Sequence, residues 1–312
     1  MRYQQQEILD KIGKEGQDKL SKSTATIIGL GALGCTSSEL LARAGIGNLI
    51  LIDRDYVELK NLHRQTLFNA SDIGKQKAII AKERLQKINS EIDIKAYFDN
   101  FDSSNIDLAK GIILDCTDNL ETRFLINEVS IKNNIPWIFA AAIKDSGYVF
   151  NVIPNKTCFR CIFKEAYGLG TCTTAGVLNT ITTAIASIQS NEAIKILLDK
   201  EYEEDLIHFN IWNNELTKIK VRRNPKCPAC NKKFEYLTKK RNMIKFCGSN
   251  NFLIRGKFDY DKLKKDIMKV ERVSDWGNAF HFRNITVFEN KVLVKADSEQ
   301  EALSLYSKYV GN

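Results

Sequence analysis

A doubly wound α/β fold, with a Rossmann-like mixed sheet, structural zinc and a small C-terminal α+β domain, is what three features of the sequence predict. Short β-branched runs alternate with helical periods between residues 25 and 153, the order of βαβ units. The first strand runs into Gly29-x-Gly31-x-x-Gly34, a strand-to-helix turn whose glycines let backbone N–H groups approach a phosphate while the helix dipole adds positive charge. Two Cys-x-x-Cys pairs, Cys158 with Cys161 and Cys227 with Cys230, carry the four thiolates of a closed tetrahedral metal site.

A chain of 312 residues has room for one large domain and a smaller one. No apolar run approaches the ~20 residues of a membrane span. The start, Met1-Arg2-Tyr3-Gln4-Gln5-Gln6, lacks a signal-peptide core, so a cytoplasmic location without membrane contact is expected. There the eight cysteines stay reduced unless they bind metal. The net charge of +8 is spread along the chain, with no basic block interleaved with aromatics. It suits a lysine-rich solvated surface or a field for acidic partners and phosphates better than a nucleic-acid surface.

Taken in order, residues 4–20 read as one N-terminal helix, with Ile8, Leu9, Ile12 and Leu20 on a rough apolar stripe. Residues 25–28 form the first strand, 35–44 the helix after the glycine turn, and 48–53 a second apolar strand. That strand ends at Asp53, where a carboxylate can take two ribose hydroxyls. The segment 53–65 is polar and irregular, and it follows the carboxyl end of a strand, where open α/β sheets bind ligands. Residues 72–77 lead into a helix through Ile88, with Ile79, Ile80 and Leu85 as core positions. Strands follow at 92–97 and 111–115, then a helix ending at Lys132, then strands at 135–142 and 147–153. The helix 177–198 carries Ile181, Ile185, Ile188, Ile194 and Leu198 on a stripe that suits the core or a subunit interface. Residues 206–210 and 218–222 suit a hairpin. The expected boundary places 1–237 in the nucleotide domain with the four cysteines and 238–312 in the small domain. There a strand near Lys245, a helix at 260–269, short strands around Phe280, Val287 and Val292, and a helix at 298–309 are expected.

With all four coordination positions taken by sulfur, the metal would be structural; a redox Cys-x-x-Cys or four unrelated thiols are the alternatives. Asn61, Arg64 and Lys77 are donors that follow the strand ending at Asp53. Asp118 either holds magnesium, which takes one or two carboxylates with phosphate oxygens, or caps the helix starting near Leu120. An NAD-binding Rossmann oxidoreductase shares the glycine turn and Asp53 but gives no reason for Arg64, Lys77 and Asp118. A non-catalytic zinc- and nucleotide-binding module is the other alternative.

The stretches Gly29 to Gly34, Asp53 to Gln65, Asp72 to Ala78, Asp115 to Arg123, Cys158 to Cys161, Thr171 to Leu178 and Cys227 to Cys230 resemble the ThiF/MoeB/HesA family, prokaryotic relatives of ubiquitin-activating enzymes. The pattern Asp53-x-Asp55-x-Val57-Glu58-x-x-Asn61-Leu62-x-Arg64-Gln65 carries the resemblance more specifically than the glycines do. It implies an ATP- and magnesium-dependent nucleotidyltransferase that adenylates the C-terminal glycine of a small ubiquitin-like sulfur-carrier protein ending in Gly-Gly. The downstream use would be thiamine, molybdopterin or tRNA thiolation, or protein conjugation. A separate sulfur-donor protein and a homodimer are implied with it. The implied nucleotide-binding set is Gly29, Gly31, Gly34, Asp53, Asp55, Asn61, Arg64, Gln65, Lys77, Asp118 and Asn119. Within it Asp53 takes the ribose, Asn61 and Arg64 the phosphates, Lys77 the phosphates in the transition state and Asp118 the magnesium. Family members commonly carry an arginine where this chain has Gln5, so Arg2 or another cation would have to substitute. Cys172 resembles the cysteine that in some relatives takes the activated carrier as a thioester, or forms a persulfide or mixed acyl-disulfide.

Other residues have plainer readings. Cys35 and Cys116 suit the core, His63 supports Arg64, and His208 and His281 are structural. Trp137, Trp212 and Trp276 are packing residues, and Cys247 is a possible second reactive thiol.

Overall fold

The computed structural model describes residues 2–163, 175–238, 243–245, 250–275, 279–289 and 291–311. The chain divides into two compact units, Met1–Lys239 and Lys240–Asn312. The first opens with α1 (Gln4–Ile8) and α2 (Gly13–Lys22), not with one helix. Leu9 turns extended at the end of α1, and Gly13 takes φ +64°, a left-handed conformation that glycine adopts without penalty. The apolar stripe read across this break is misleading, since Ile8 and Leu9 are 65% and 50% exposed.

Then follow β1 (Thr24–Ile28), α3 (Ala32–Ala44), β2 (Asn48–Asp53), α4 (Lys77–Ile88), β3 (Asp93–Phe98), β4 (Ile112–Asp115), α5 (Leu120–Asn133), β5 (Trp137–Ile143) and β6 (Ser146–Val152). A short α6 (Phe159–Ile162), α7 (Asn179–Leu197), β7 (Leu206–Asn210) and β8 (Glu215–Ile219) complete the unit. Among the described residues the sheet runs β3-β2-β1-β4-β5-β6-β7-β8. β3 to β5 are parallel, and β6 to β8 are added antiparallel. The strand order reverses at β1, with β2 on one side and β4 on the other, which is where such sheets open a crevice. β8 borders the sheet and is exposed at every position, three residues earlier than the sequence suggested.

The two faces of the sheet bury different partners, because neighbouring residues of a strand point to opposite sides. Ile27 and Leu114 pack with Leu20, Leu41, Leu85 and Ile185 of the helices on one face. Ile28 and Ile113 pack with Phe124, Trp137, Phe159 and the buried cysteines on the other. That two-sided burial makes the strands read as continuous apolar runs and confirms the doubly wound class. Cys35 and Cys116 are buried, as expected.

In the second unit the strands are β9 (Met243–Lys245), β10 (Asn251–Arg255), β11 (Ser274–Asp275), β12 (Phe280–Phe282), β13 (Ile285–Phe288) and β14 (Lys291–Lys295). They run β11-β12-β13-β14-β10-β9, antiparallel wherever paired. α8 (Tyr260–Met268) and α9 (Glu299–Tyr309) are capped by the side chains of Asp259 and Ser298. The core is Phe252, Ile254, Phe280, Phe282, Val292 and Val294 with Ala302 and Tyr306. β10 escaped the sequence reading because its apolar run is only Phe252-Leu253-Ile254 between polar ends. No helix of the described residues is long and apolar enough to cross a membrane.

Candidate active site

The glycine turn is set by close backbone approaches. Gly29 takes φ +91°, and a Cβ there would lie 2.7 Å from the Cys116 carbonyl oxygen. A Cβ at Gly34 would lie 1.9 Å from the Gly29 carbonyl oxygen. These two glycines let β1, the start of α3 and the end of β4 meet. Gly31 differs: a Cβ there would meet nothing within 4 Å, so it faces open space. Gly31 is the N-cap of α3 and has no side chain to cap it, which suits the first N–H groups of the helix to a ligand.

Asp53 ends β2 beside this turn and is itself held by it. Its Oδ2 accepts the Leu30 N–H at 2.5 Å and its Oδ1 the Asp55 N–H at 2.6 Å. Burial pushes the Asp53 carboxyl up to about 6; Asp55 adds to the rise, while Lys77 and the two N–H donors oppose it. The chain then folds back on itself. The Val57 N–H donates to the Lys75 carbonyl, the Gly74 N–H to the Val57 carbonyl, and the Lys77 N–H to the Asp55 carbonyl, at 2.9 to 3.0 Å. Tyr56 and Gln76 form an antiparallel bridge inside that ladder. The ladder delivers Lys77, the first residue of α4, to Asp55, with Nζ 3.4 Å from Oδ2. Lys77 lies above the usual lysine range: burial works against its charge, but Asp55 and then Asp53 outweigh it. Asp55 lies below the usual carboxylate range, because Lys77 and then Arg54 outweigh burial.

Between these ends, Leu59–Asn61 form a 3-10 turn that brings Asn61 under Arg64. Arg64 Nη2 donates to Asn61 Oδ1 at 3.1 Å, and Nη1 lies 2.7 Å from His63 Nε2. Asn61 and Gln65 are buried, and the Gln65 Oε1 has no hydrogen-bond partner among the described residues.

The third wall follows β4. Asp115 is fully buried and receives Arg123 Nε at 3.1 Å on Oδ2 and both the N–H and hydroxyl of Thr117 on Oδ1. Burial still raises the Asp115 carboxyl, with Arg123 and Thr117 opposing. Arg123 also donates to the carbonyls of Thr117 and Ala140. This guanidinium ties β4, β5 and the loop together, and the sequence reading gave it no role. Its signal was an arginine eight residues after a buried strand's terminal aspartate. The cap of α5 is Asn119, whose Oδ1 accepts the Thr122 N–H at 2.8 Å, and not Asp118. Asp118 is exposed and makes none of the described hydrogen bonds, which leaves its carboxylate to a cation.

The four cysteines of the two pairs come together, with neighbouring sulfurs 3.4 to 3.6 Å apart and all four within 4.8 Å of one another. Four Zn–S bonds of ~2.3 Å in a tetrahedron put sulfurs at about 3.8 Å, so the set fits zinc. The segment after the second pair is docked by Glu128 of α5. This fully buried carboxylate accepts the N–H groups of Glu235, Tyr236 and Leu237 at 2.8 to 3.0 Å, with Arg160 Nη1 at 3.7 Å.

Cys172, Cys247 and Trp276 lie outside the described residues. Arg2, weighed as a substitute for a cation at Gln5, is engaged elsewhere, with Glu91 at 3.3 Å and the Ile88 carbonyl at 2.9 Å. Trp137 is a core residue, but Trp212 is 75% exposed in the β7–β8 turn and does not pack. His208 packs at a tilt against Tyr148, ring centroids 4.8 Å apart, and His281 Nδ1 lies 3.0 Å from the Thr286 hydroxyl.

A sequence profile of the ThiF family matches residues 3–229. The chain is 38% identical over 268 residues to a sulfur carrier protein ThiS adenylyltransferase of Bacillus subtilis, covering 81% of this chain and 79% of that protein. It is 34% identical to a SAMP-activating enzyme E1 of Haloferax volcanii, over 73% of this chain and 88% of that one. It is 35% identical to a molybdopterin-synthase adenylyltransferase of Escherichia coli, over 74% and 96%. Among solved structures, E. coli MccB with ATP superposes with a TM-score of 0.61 at 27% identity, over 69% of this chain and 68% of that one.

Proposed function

The chain belongs to the ThiF family, and from that premise we propose its reaction in full: ATP and the terminal carboxylate of a small sulfur-carrier protein give an acyl-adenylate and pyrophosphate. It is an adenylyltransferase of sulfur carrier proteins, as its relatives are. What supports the proposed chemistry is the buried Lys77, held by its ladder against Asp55 and facing Asp53, which itself binds the turn before the uncapped start of α3; the Asn61–Arg64 pair in the same loop and Asp118 after β4 complete the proposed set.

A terminal carboxylate is already ionised at neutral pH, so no general base is needed. One carboxylate oxygen bonds to the α-phosphorus, the bond from that phosphorus to the bridging oxygen breaks, and the electron pair leaves with pyrophosphate. No proton changes hands. The obstacle is the meeting of two anions, and the chain's cations and N–H dipoles offset it. In this proposal the first N–H groups of α3 and Arg64 hold phosphate oxygens, Asp53 the ribose, and Lys77 the charge that builds up as the bond is exchanged. Magnesium, held by Asp118 beside Asn119, would supply further positive charge. Zinc would be held by Cys158, Cys161, Cys227 and Cys230 and would be structural. The carrier ends in Gly-Gly, the enzyme is a homodimer, and a separate protein donates the sulfur; the Cys172 thiolate bonds to the activated acyl carbon as a thioester and the bond to AMP breaks, AMP leaving with the electron pair. No observation favours the oxidoreductase alternative.

The test is carrier-dependent ATP–pyrophosphate exchange. Lys77→Ala lowers it by about a hundredfold or more, as loss of a transition-state charge does. An unchanged rate removes Lys77 from the chemistry.

A further inference from the structure

Resting on that reading of Lys77, we propose that Asp55 is its counter-ion between turnovers, holding the buried ammonium charged and parked until the triphosphate takes it. Three observations carry this. The ladder between residues 55–57 and 74–77 fixes the two backbones against each other, so the pairing is built in and not a chance contact of two long side chains. The two partners are unequally placed, the Lys77 side chain being 5% exposed and that of Asp55 47%. Asp55 is thus the partner that water can stabilise alone, whereas Lys77 needs an anion beside it at all times. Asp53, the nearest alternative anion, already accepts two backbone N–H groups with its two oxygens.

The groups that face Lys77 are Asp53 at the end of β2, Asp55 in the loop and Cys35 on α3. Burial pushes the Cys35 thiol up to about 12, so it is neutral near physiological pH and leaves the two aspartates to hold the charge. When a triphosphate arrives, it competes with Asp55 for one lysine. At neutral pH Asp55 is thus a competitor that weakens nucleotide binding. As pH rises and unbound Lys77 loses its proton, that competition fades. An Asp55→Asn variant reads it out, because the amide keeps the shape and loses the charge.

The experiment is calorimetric titration of wild type, Asp55→Asn and Asp55→Glu with a non-hydrolysable ATP analogue and magnesium, from about pH 7.5 to about pH 10. Asp55→Asn binds about threefold or more tighter than wild type at the lower end. Its affinity starts to fall at a lower pH than that of wild type, so the gap between the two curves closes toward alkaline pH. Asp55→Glu follows wild type. In Asp55→Asn/Lys77→Arg the alkaline fall is absent, because a guanidinium does not deprotonate in this range. Curves for Asp55→Asn that run parallel to wild type, or lie weaker throughout, overturn the proposal, as does an alkaline fall that persists with Arg at position 77. Failure of the adenylyltransferase reading looks different: wild type then shows no carrier-dependent pyrophosphate exchange at any pH.

Discussion

Asp53 illustrates how a site residue strains the fold that holds it. Its carboxyl is raised from about 3.8 to about 6 in the folded protein, so the folded state binds that proton more tightly than the unfolded chain does. The contribution is full below pH 4 and is lost as pH rises through 6. Measured against Asp53→Asn, wild type therefore loses roughly 3 kcal/mol between those pH values, readable as diverging urea midpoints. Nucleotide-free protein carries this cost at neutral pH, and bound ribose hydroxyls would offset it. Arg123 works in the opposite sense. Arg123→Ala leaves the Asp115 charge fully buried with no cation, and the expected loss is about 3–5 kcal/mol by denaturant unfolding. Neither effect was legible in the sequence. The glycine turn was, because Gly29 and Gly34 mark close backbone approaches that no other residue permits. Arg123 was not, because its partner's burial depends on β1 and β5 flanking β4.

Elements with a strict period were read correctly, and elements fixed by distant partners were not. β1, α3 and β2 sit where apolar runs and glycine put them. The break before Gly13 was hidden by Ile8 and Leu9, which have helical spacing but point to solvent. The role of α5 was hidden too, since Glu128 meets partners 107 to 109 positions away. Glu128→Gln replaces an acceptor for three N–H groups with a side chain that must turn one donor toward another. The expected outcome is a loss of about 2–4 kcal/mol, with amide exchange at residues 235–237 faster than elsewhere in the unit.

At the scale of the molecule, the cysteine cluster decides how much of the first unit holds together. It joins positions 69 apart in sequence and forms part of the core on one face of the sheet. With zinc bound, the closed loop is a constraint the unfolded chain lacks. A strong chelator is expected to release one zinc per chain, measured by elemental analysis, and to lower the Tm on the order of 10 °C. The Cys-x-x-Cys spacing announced this cluster; the docking of the segment behind it, through Glu128, was invisible without the fold.

Among the described residues β8 borders the large sheet with no strand beside it. An outermost strand with solvent on every side chain is a template on which a second chain could zip, and Trp212 and Leu216 make it stickier. Lys220, Arg222 and Arg223 follow it and are exposed, so like molecules repel there. That fence is electrical, and dissolved ions lower it. Sedimentation in about 0.5 M salt is therefore expected to reveal assemblies larger than the dimer that are missing in about 0.05 M salt, and Leu216→Lys to abolish them.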